Sequence, residues 1–197
     1  MRLEHCIRRW FGLRGHFVRR VEETESGLVA EVESIEGRWP LCGCCGRKVG
    51  RTKGRLPRRE WRDLMIRHLP LVIAYAPRRV VCPDCGIRVE RVQWAERWSR
   101  VTRSLAGAVA ELSRRTDLST VAGHYEINWK TVASVIRRTV EWGLKQRRQR
   151  PLRVLGLDEV SRKKGHHYLT LAYDLERGEL TWVGKDRTSD TVSAFFD

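Results

Sequence analysis

Changes in the spacing of apolar residues divide the chain. Through residues 1–37 apolar and charged positions alternate loosely: Phe17, Val18 and Val21 form one run, and Leu28, Val29, Val32 and Ile35 form another. Glu25-Ser26-Gly27 separates the two runs, which predicts a β-hairpin. Residues 38–98 keep a strand-like pattern, with Trp61, Leu64 and Ile66 followed by Leu71, Val72, Ile73, Tyr75, Val80 and Val81. From Val101 the period becomes helical. Val101, Leu105, Ala108 and Leu112 mark a first helix starting near Ser99 or Thr102, and Leu118, Val121, Ala122 and Tyr125 mark a second that Asp117 caps. Asn128 caps a third, whose buried face is expected at Trp129, Val132, Ile136 and Val140.

Three helices in residues 99–145, with a short turn from Tyr125 to Asn128, predict a helix-turn-helix. The plainer reading is a helical hairpin with a solvated charged side. Pro151 disfavours helical geometry at Arg150, so residues 146–151 read as a basic linker. Residues 152–197 return to strands: Val154 to Leu157, Tyr168 to Tyr173 and Leu180 to Val183, with a turn at Leu175 to Gly178 and a helix from Ser189 to Phe196. The meander puts Asp158 at the end of its first strand and Asp174 at the end of its second, roughly 15–20 Å apart. The expected fold class is therefore α+β and multi-module: an N-terminal β-hairpin with a zinc ribbon, a three-helix helix-turn-helix unit, and a β-meander.

Charge narrows the function. A formal net charge of +15, mostly from arginine, points to a polyanionic partner, with nucleic acid first. Hydrophobic residues make up 41% and Trp contributes 8, enough for folded cores. The longest apolar run, Leu69 to Ala76, is too short for a membrane, and charges interrupt Met1 to Arg20 too often for a signal peptide. The expected location is cytoplasmic and nucleoid-associated. There thiols stay reduced, so paired cysteines favour metal over disulfide.

Two such pairs stand out, in Cys42-Gly43-Cys44-Cys45-Gly46 and Cys82-Pro83-Asp84-Cys85-Gly86. Each knuckle turns both sulfurs toward one point, with Gly closing the bend, so Cys42, Cys45, Cys82 and Cys85 are expected to hold a structural Zn²⁺. Cys44 is the spare thiol, and the intervening segment supplies the ribbon's strands. Arg47, Lys48, Arg78, Arg79 and Arg88 are placed to offset the charge of four thiolates. Cys6, His5 and His16 have no ligand spacing. In the third helix Lys130, Thr131 and Ser134 are expected to contact bases, and Arg137 and Arg138 phosphates. Arg147, Arg148 and Arg150, within the basic KQRRQR run, suit contact with the DNA backbone.

Three stretches carry a family resemblance. Leu152 to Asp174 holds a "GLDE" after a short strand and before a "KGH.Y.T" segment; Arg78 to Cys85 fits "RR..C..C"; Leu118 to Val132 fits "L..VA......W.TV". Together they resemble ISL3-family insertion-sequence transposases. The resemblance implies a ribonuclease-H-like domain with a DDE triad, in which Asp158 is the first catalytic aspartate and a Mg²⁺ ligand. It also implies double-stranded DNA at insertion-sequence ends as the partner, and a homodimer is compatible with it. Because the chain stops at Asp197, early in such a domain, the expectation is a truncated, catalytically incomplete form that binds DNA without strand transfer. Glu159 should face away from Asp158, and His166 and His167 are expected to be structural or DNA-facing. The competing readings are a zinc-ribbon and helix-turn-helix transcriptional regulator and an RNA-binding zinc-ribbon protein.

Overall fold

The alternating runs around Glu25-Ser26-Gly27 form the expected hairpin, with β1 (His16–Thr24) antiparallel to β2 (Gly27–Ser34). The computed structural model describes residues 12–146, 150–163, 165 and 167–196. Cys6, His5, Arg147, Arg148, His166 and Asp197 lie outside the described residues. The chain divides into two units, Met1–Lys145 and Gln146–Asp197.

In the first unit, the hairpin is half of a larger sheet. Strands β4 (Arg59–Ile66) and β5 (Leu69–Tyr75) pair antiparallel, and β5 runs parallel to β2, giving the order β1-β2-β5-β4. Leu28 and Ala30 of β2 stand opposite Leu71 and Ile73 of β5, so the two runs share one buried face. Trp61, Tyr75 and Trp94 complete this core. Gly27 is required here: its φ is +120°, and a Cβ would come within 2.3 Å of the Pro70 carbonyl oxygen.

This arrangement corrects one expectation. Trp61, Leu71 and Ile73 belong to the N-terminal sheet, whereas the ribbon is a separate sheet of order β3-β6-β7, made of β3 (Thr52–Arg55), β6 (Arg78–Cys82) and β7 (Gly86–Val89). The apolar period gave strands correctly, but the choice of partner is non-local and leaves no mark on it.

Three helices follow: α1 (Arg103–Leu112), α2 (Leu118–Tyr125) and α3 (Trp129–Gln146). Their caps are the expected ones. Thr102 accepts from the Leu105 amide, Asp117 from those of Ser119 and Thr120, and Asn128 from that of Lys130. Leu105, Val109, Val121, Val132 and Val135 are buried together. Val109 rather than Ala108 takes the interior position of α1, and Leu118 lies at the surface.

Two further expectations fail on α3. Trp129 is 55% exposed and Val140 is 52% exposed. Cover on α3 runs from Thr131 to Ile136: Trp129 comes before it at the first residue of the helix, and Val140 lies beyond it in the exposed C-terminal half.

The helices are tied to the sheet through Thr102. Its amide donates to the Arg62 carbonyl of β4, and its hydroxyl donates to Asp63 Oδ1 at 2.8 Å while accepting from Leu105. Arg62 also pairs with Glu126, in the turn after α2, at 2.9 Å.

The second unit is an antiparallel sheet of order β10-β9-β8, from β8 (Leu155–Lys163), β9 (His167–Asp174) and β10 (Glu179–Lys185), followed by α4 (Ser189–Phe196). The meander and its helix match expectation. Asp158 does not end its strand: β8 continues to Lys163, with Asp158 opposite Leu171 and Leu155 opposite Asp174. Three residues of strand therefore separate the two aspartates, roughly 10 Å, shorter than expected. Partner β9 carries β8 onward through exposed Ser161 and Arg162, which have no apolar period of their own.

Candidate metal centre and nucleic-acid interface

Each cysteine knuckle is held by backbone before any metal is considered. Gly46 donates to the Cys42 carbonyl at 2.9 Å, Gly46 and Gly86 have φ of 76° and 70°, and the Cys44 amide points at Cys42 Sγ at 3.4 Å. Gly43 donates to the Val89 carbonyl and β6 ends at Cys82, so one knuckle is pressed against the strands bearing the other. As a result, Sγ of Cys42, Cys45, Cys82 and Cys85 all lie within 4.8 Å of one another. Cys42 and Cys82 are buried, and Cys44 is exposed outside the cluster. Four thiols so placed could hold a metal ion.

Their surroundings shift these thiols in opposite directions. Burial pushes the Cys42 thiol up, but the amides of Cys44 and Cys45 and the nearby thiols outweigh it and bring the group down to about 7. The Cys85 thiol is pushed up, first by its bond with Cys45 and then by burial. Four thiolates in mutual contact need a cation among them.

The arginines around the ribbon are not all free to offset that charge. Arg47 pairs with Asp84 across the two knuckles at 2.9 Å. Arg78 is committed elsewhere: its Nε and Nη2 donate to Glu90 Oε2 at 2.9 and 2.8 Å, and its amide donates to Oε1 at 2.6 Å. The Tyr75 hydroxyl donates to the same Oε1 at 2.6 Å. Glu90 is 1% exposed, so this is a buried, fully bonded pair joining β5, β6 and the segment after β7. Burial, then the Glu90 hydrogen bond, pushes the Tyr75 hydroxyl up to about 12.

The turn between α2 and α3 gives the helix pair its geometry. Glu126 sits at φ 50°, and its amide bonds the carbonyls of Ala122 and Gly123, while that of Ile127 returns to Ala122 at 3.0 Å. This left-handed stop ends α2 and lets α3 start within three residues. At the start of α3, Lys130 is exposed and Thr131 and Ser134 are half-buried. Arg137 and Arg138 follow, both exposed, with Arg138 Nη1 reaching the Arg97 carbonyl at 3.4 Å. Trp129, which the period placed inside, stands beside them with the Lys130 ammonium 6.0 Å from its ring centroid. Arg150 is exposed.

Asp158 is exposed in mid-strand, and its Oδ1 accepts from the Glu159 amide at 2.8 Å. The register puts it on one face with Leu171 and Val183, and Glu159 on the other with Thr170 and Gly184. Asp174 is buried in the β9–β10 turn, bonded to the Arg177 guanidinium and to the amides of Glu176 and Arg177. Burial works to raise its carboxyl, but these bonds hold it below the usual range. It is structural. Among the described residues, no trio of His, Cys, Asp or Glu gathers around Asp158, and the four cysteines form the cluster with metal-ligand geometry. No described helix is long and apolar enough to cross a membrane.

Comparison with known proteins agrees with this geometry. Residues 90–140 match the helix-turn-helix domain of transposase family ISL3, and residues 155–197 match that family's DDE model, described as a transposase. The transposase for insertion sequence element IS1001 of Bordetella parapertussis is 30% identical over 189 residues, covering 94% of this chain and 46% of that protein. The transposase for element IS1557 of Mycobacterium tuberculosis (strain ATCC 25618 / H37Rv) is 30% identical over 183 residues, covering 89% of this chain and 41% of that one. The chain thus spans less than half the length of these curated relatives. No solved structure matches it. With one family model falling on the helices and the other on the Asp158 strand, and transposases of insertion sequences matching along the chain, the chain belongs to the ISL3 family of transposases.

Proposed function

We propose that this chain binds the terminal inverted repeats of an insertion sequence as part of DNA transposition. The observation that carries the reading is the α2–α3 pair: a left-handed stop, a capped second helix, and an exposed basic start to that helix. In such a pair the start of α3 lies in the major groove. Lys130, Thr131 and Ser134 then read base edges, with Trp129 beside them. Arg137, Arg138 and Arg150 bind phosphates, which positions the helix without reading sequence. Arg147 and Arg148 belong by sequence to the same basic run. The transcriptional-regulator alternative is not favoured, because the family match continues through residues 155–197.

The four cysteines suit Zn²⁺. Zinc–thiolate bonds of about 2.3 Å put tetrahedral sulfurs about 3.8 Å apart, and Cys45 and Cys82 already stand at 3.6 Å. Zinc bound by all four would supply folding energy, with no open position for catalysis.

A β-meander followed by a helix fits the start of a ribonuclease-H-like domain with Asp158 as its first acid. A pair of Mg²⁺ ions needs several carboxylates, and among the described residues Asp158 belongs to no cluster of three ligand-bearing side chains, so they do not fit that group. The 197-residue polypeptide is therefore expected to bind duplex DNA without cutting it.

The test is fluorescence anisotropy with a duplex carrying the element's end and with a scrambled duplex, at fixed salt. Lys130→Ala should reduce affinity for the end about tenfold and leave the scrambled duplex unaffected. Arg137→Ala should weaken both alike. Equal affinity of the parent chain for both duplexes would overturn the reading, as would cleavage by the polypeptide in Mg²⁺.

A further inference from the structure

A second basic surface has no lining residue on α3. The ribbon, the edge of β4 and the segment 90–103 enclose a groove of about 570 Å³. Arg59, Arg79, Arg88, Arg91 and Arg97 line it, and among the described residues none of these five forms an ion pair with a carboxylate. The groove's two acids are already occupied: Glu90 by Arg78, and Glu96 by Arg103 at 2.7 Å. Unpaired guanidiniums so close together in one concavity repel one another and focus a positive field there.

Trp98 stands at the same groove with 69% of its surface exposed and φ at 64°. The Arg97 guanidinium lies 5.3 Å from its ring centroid. An exposed indole held at a positive φ is an uncommon choice unless the ring serves a purpose. The space is too small for a duplex and suits one or two nucleotides of a single strand.

We propose that this groove binds unpaired single-stranded DNA, with phosphates on Arg79, Arg88 and Arg91 and a base stacked on Trp98. Sequence-tolerant single-strand sites are built from these two parts, a positive groove and an aromatic platform. None of the lining residues is among those assigned to duplex reading, although Arg138 of α3 reaches the Arg97 carbonyl, and the proposal does not rest on that assignment.

The test measures binding of the metal-loaded 197-residue protein to fluorescent oligo(dT) and to the end duplex across a salt series. Trp98→Asn, chosen because Asn tolerates positive φ, should weaken oligo(dT) binding roughly 5- to 150-fold, and Trp98→Phe should restore most of it. The pair Arg88→Ala and Arg91→Ala should lower the salt slope of log K for oligo(dT) by about 1.4. Removing Arg153 and Arg162, exposed arginines outside the groove, should leave that slope in place. Lys130→Ala should affect the duplex and spare oligo(dT), which separates failure of this site from failure of the duplex site. Absence of oligo(dT) binding, an unaffected Trp98→Asn, equal slopes for the two arginine pairs, or loss confined to the duplex would each overturn the proposal.

Discussion

Cys45 and Cys82, 37 residues apart in sequence, meet at 3.6 Å in a cluster of four thiols, whereas Asp158 stands exposed in mid-strand and, among the described residues, belongs to no such cluster. Asp158 falls within the family's DDE match and the cysteines lie ahead of its helix-turn-helix match, and their structural settings differ. The cysteines come as two local pairs, each fixed by a tight turn, so bringing two turns together completes the set. A triad of acids drawn from separate strands has no such local units. For the cysteines the structure shows a set assembled as ligands would be; for Asp158 it shows no such assembly among the described residues.

Breaking the stronger side of this contrast should have the largest effect. Cys82→Ser, or chelation, should abolish stoichiometric metal and unfold the ribbon, because structural zinc sites are worth on the order of 10 kcal/mol of folding energy. Metal analysis with thermal unfolding checks it. Next comes the junction between ribbon and sheet. Glu90→Ala strands the Arg78 guanidinium, 14% exposed, without its partner and should cost about 3–5 kcal/mol in denaturant unfolding. Third, Thr102→Val removes both a helix cap and the bond to Asp63, and should lower stability by about 2 kcal/mol in the same measurement. Asp158→Ala should do least. Exposed and unclustered, the residue should change stability by under about 0.5 kcal/mol and leave duplex affinity unaltered; a marked loss of either would mean that this carboxylate has a partner.

How much was legible follows the same division between local and distant. Thr102, Asp117 and Asn128 could be identified as caps because a cap is a bond between neighbours in sequence. The turn chemistry of Cys42 to Gly46 was equally plain. What escaped was partner choice. Nothing in Leu71 or Ile73 says that β5 will lie parallel to β2, taking those residues away from the ribbon. Trp129 and Val140 keep the helical period of a buried face, but burial also needs a neighbour to cover them. The Arg78–Glu90 pair was missed because 12 residues separate two charges that the sequence shows simply as part of a basic run.

Thr102 has one further consequence. A single hydroxyl begins the first helix and grips a carboxylate of the sheet, so the helical unit cannot swivel on a flexible neck. If the helices meet a duplex as proposed, their approach angle is settled during folding, and less orientational freedom remains to be surrendered at the moment of encounter.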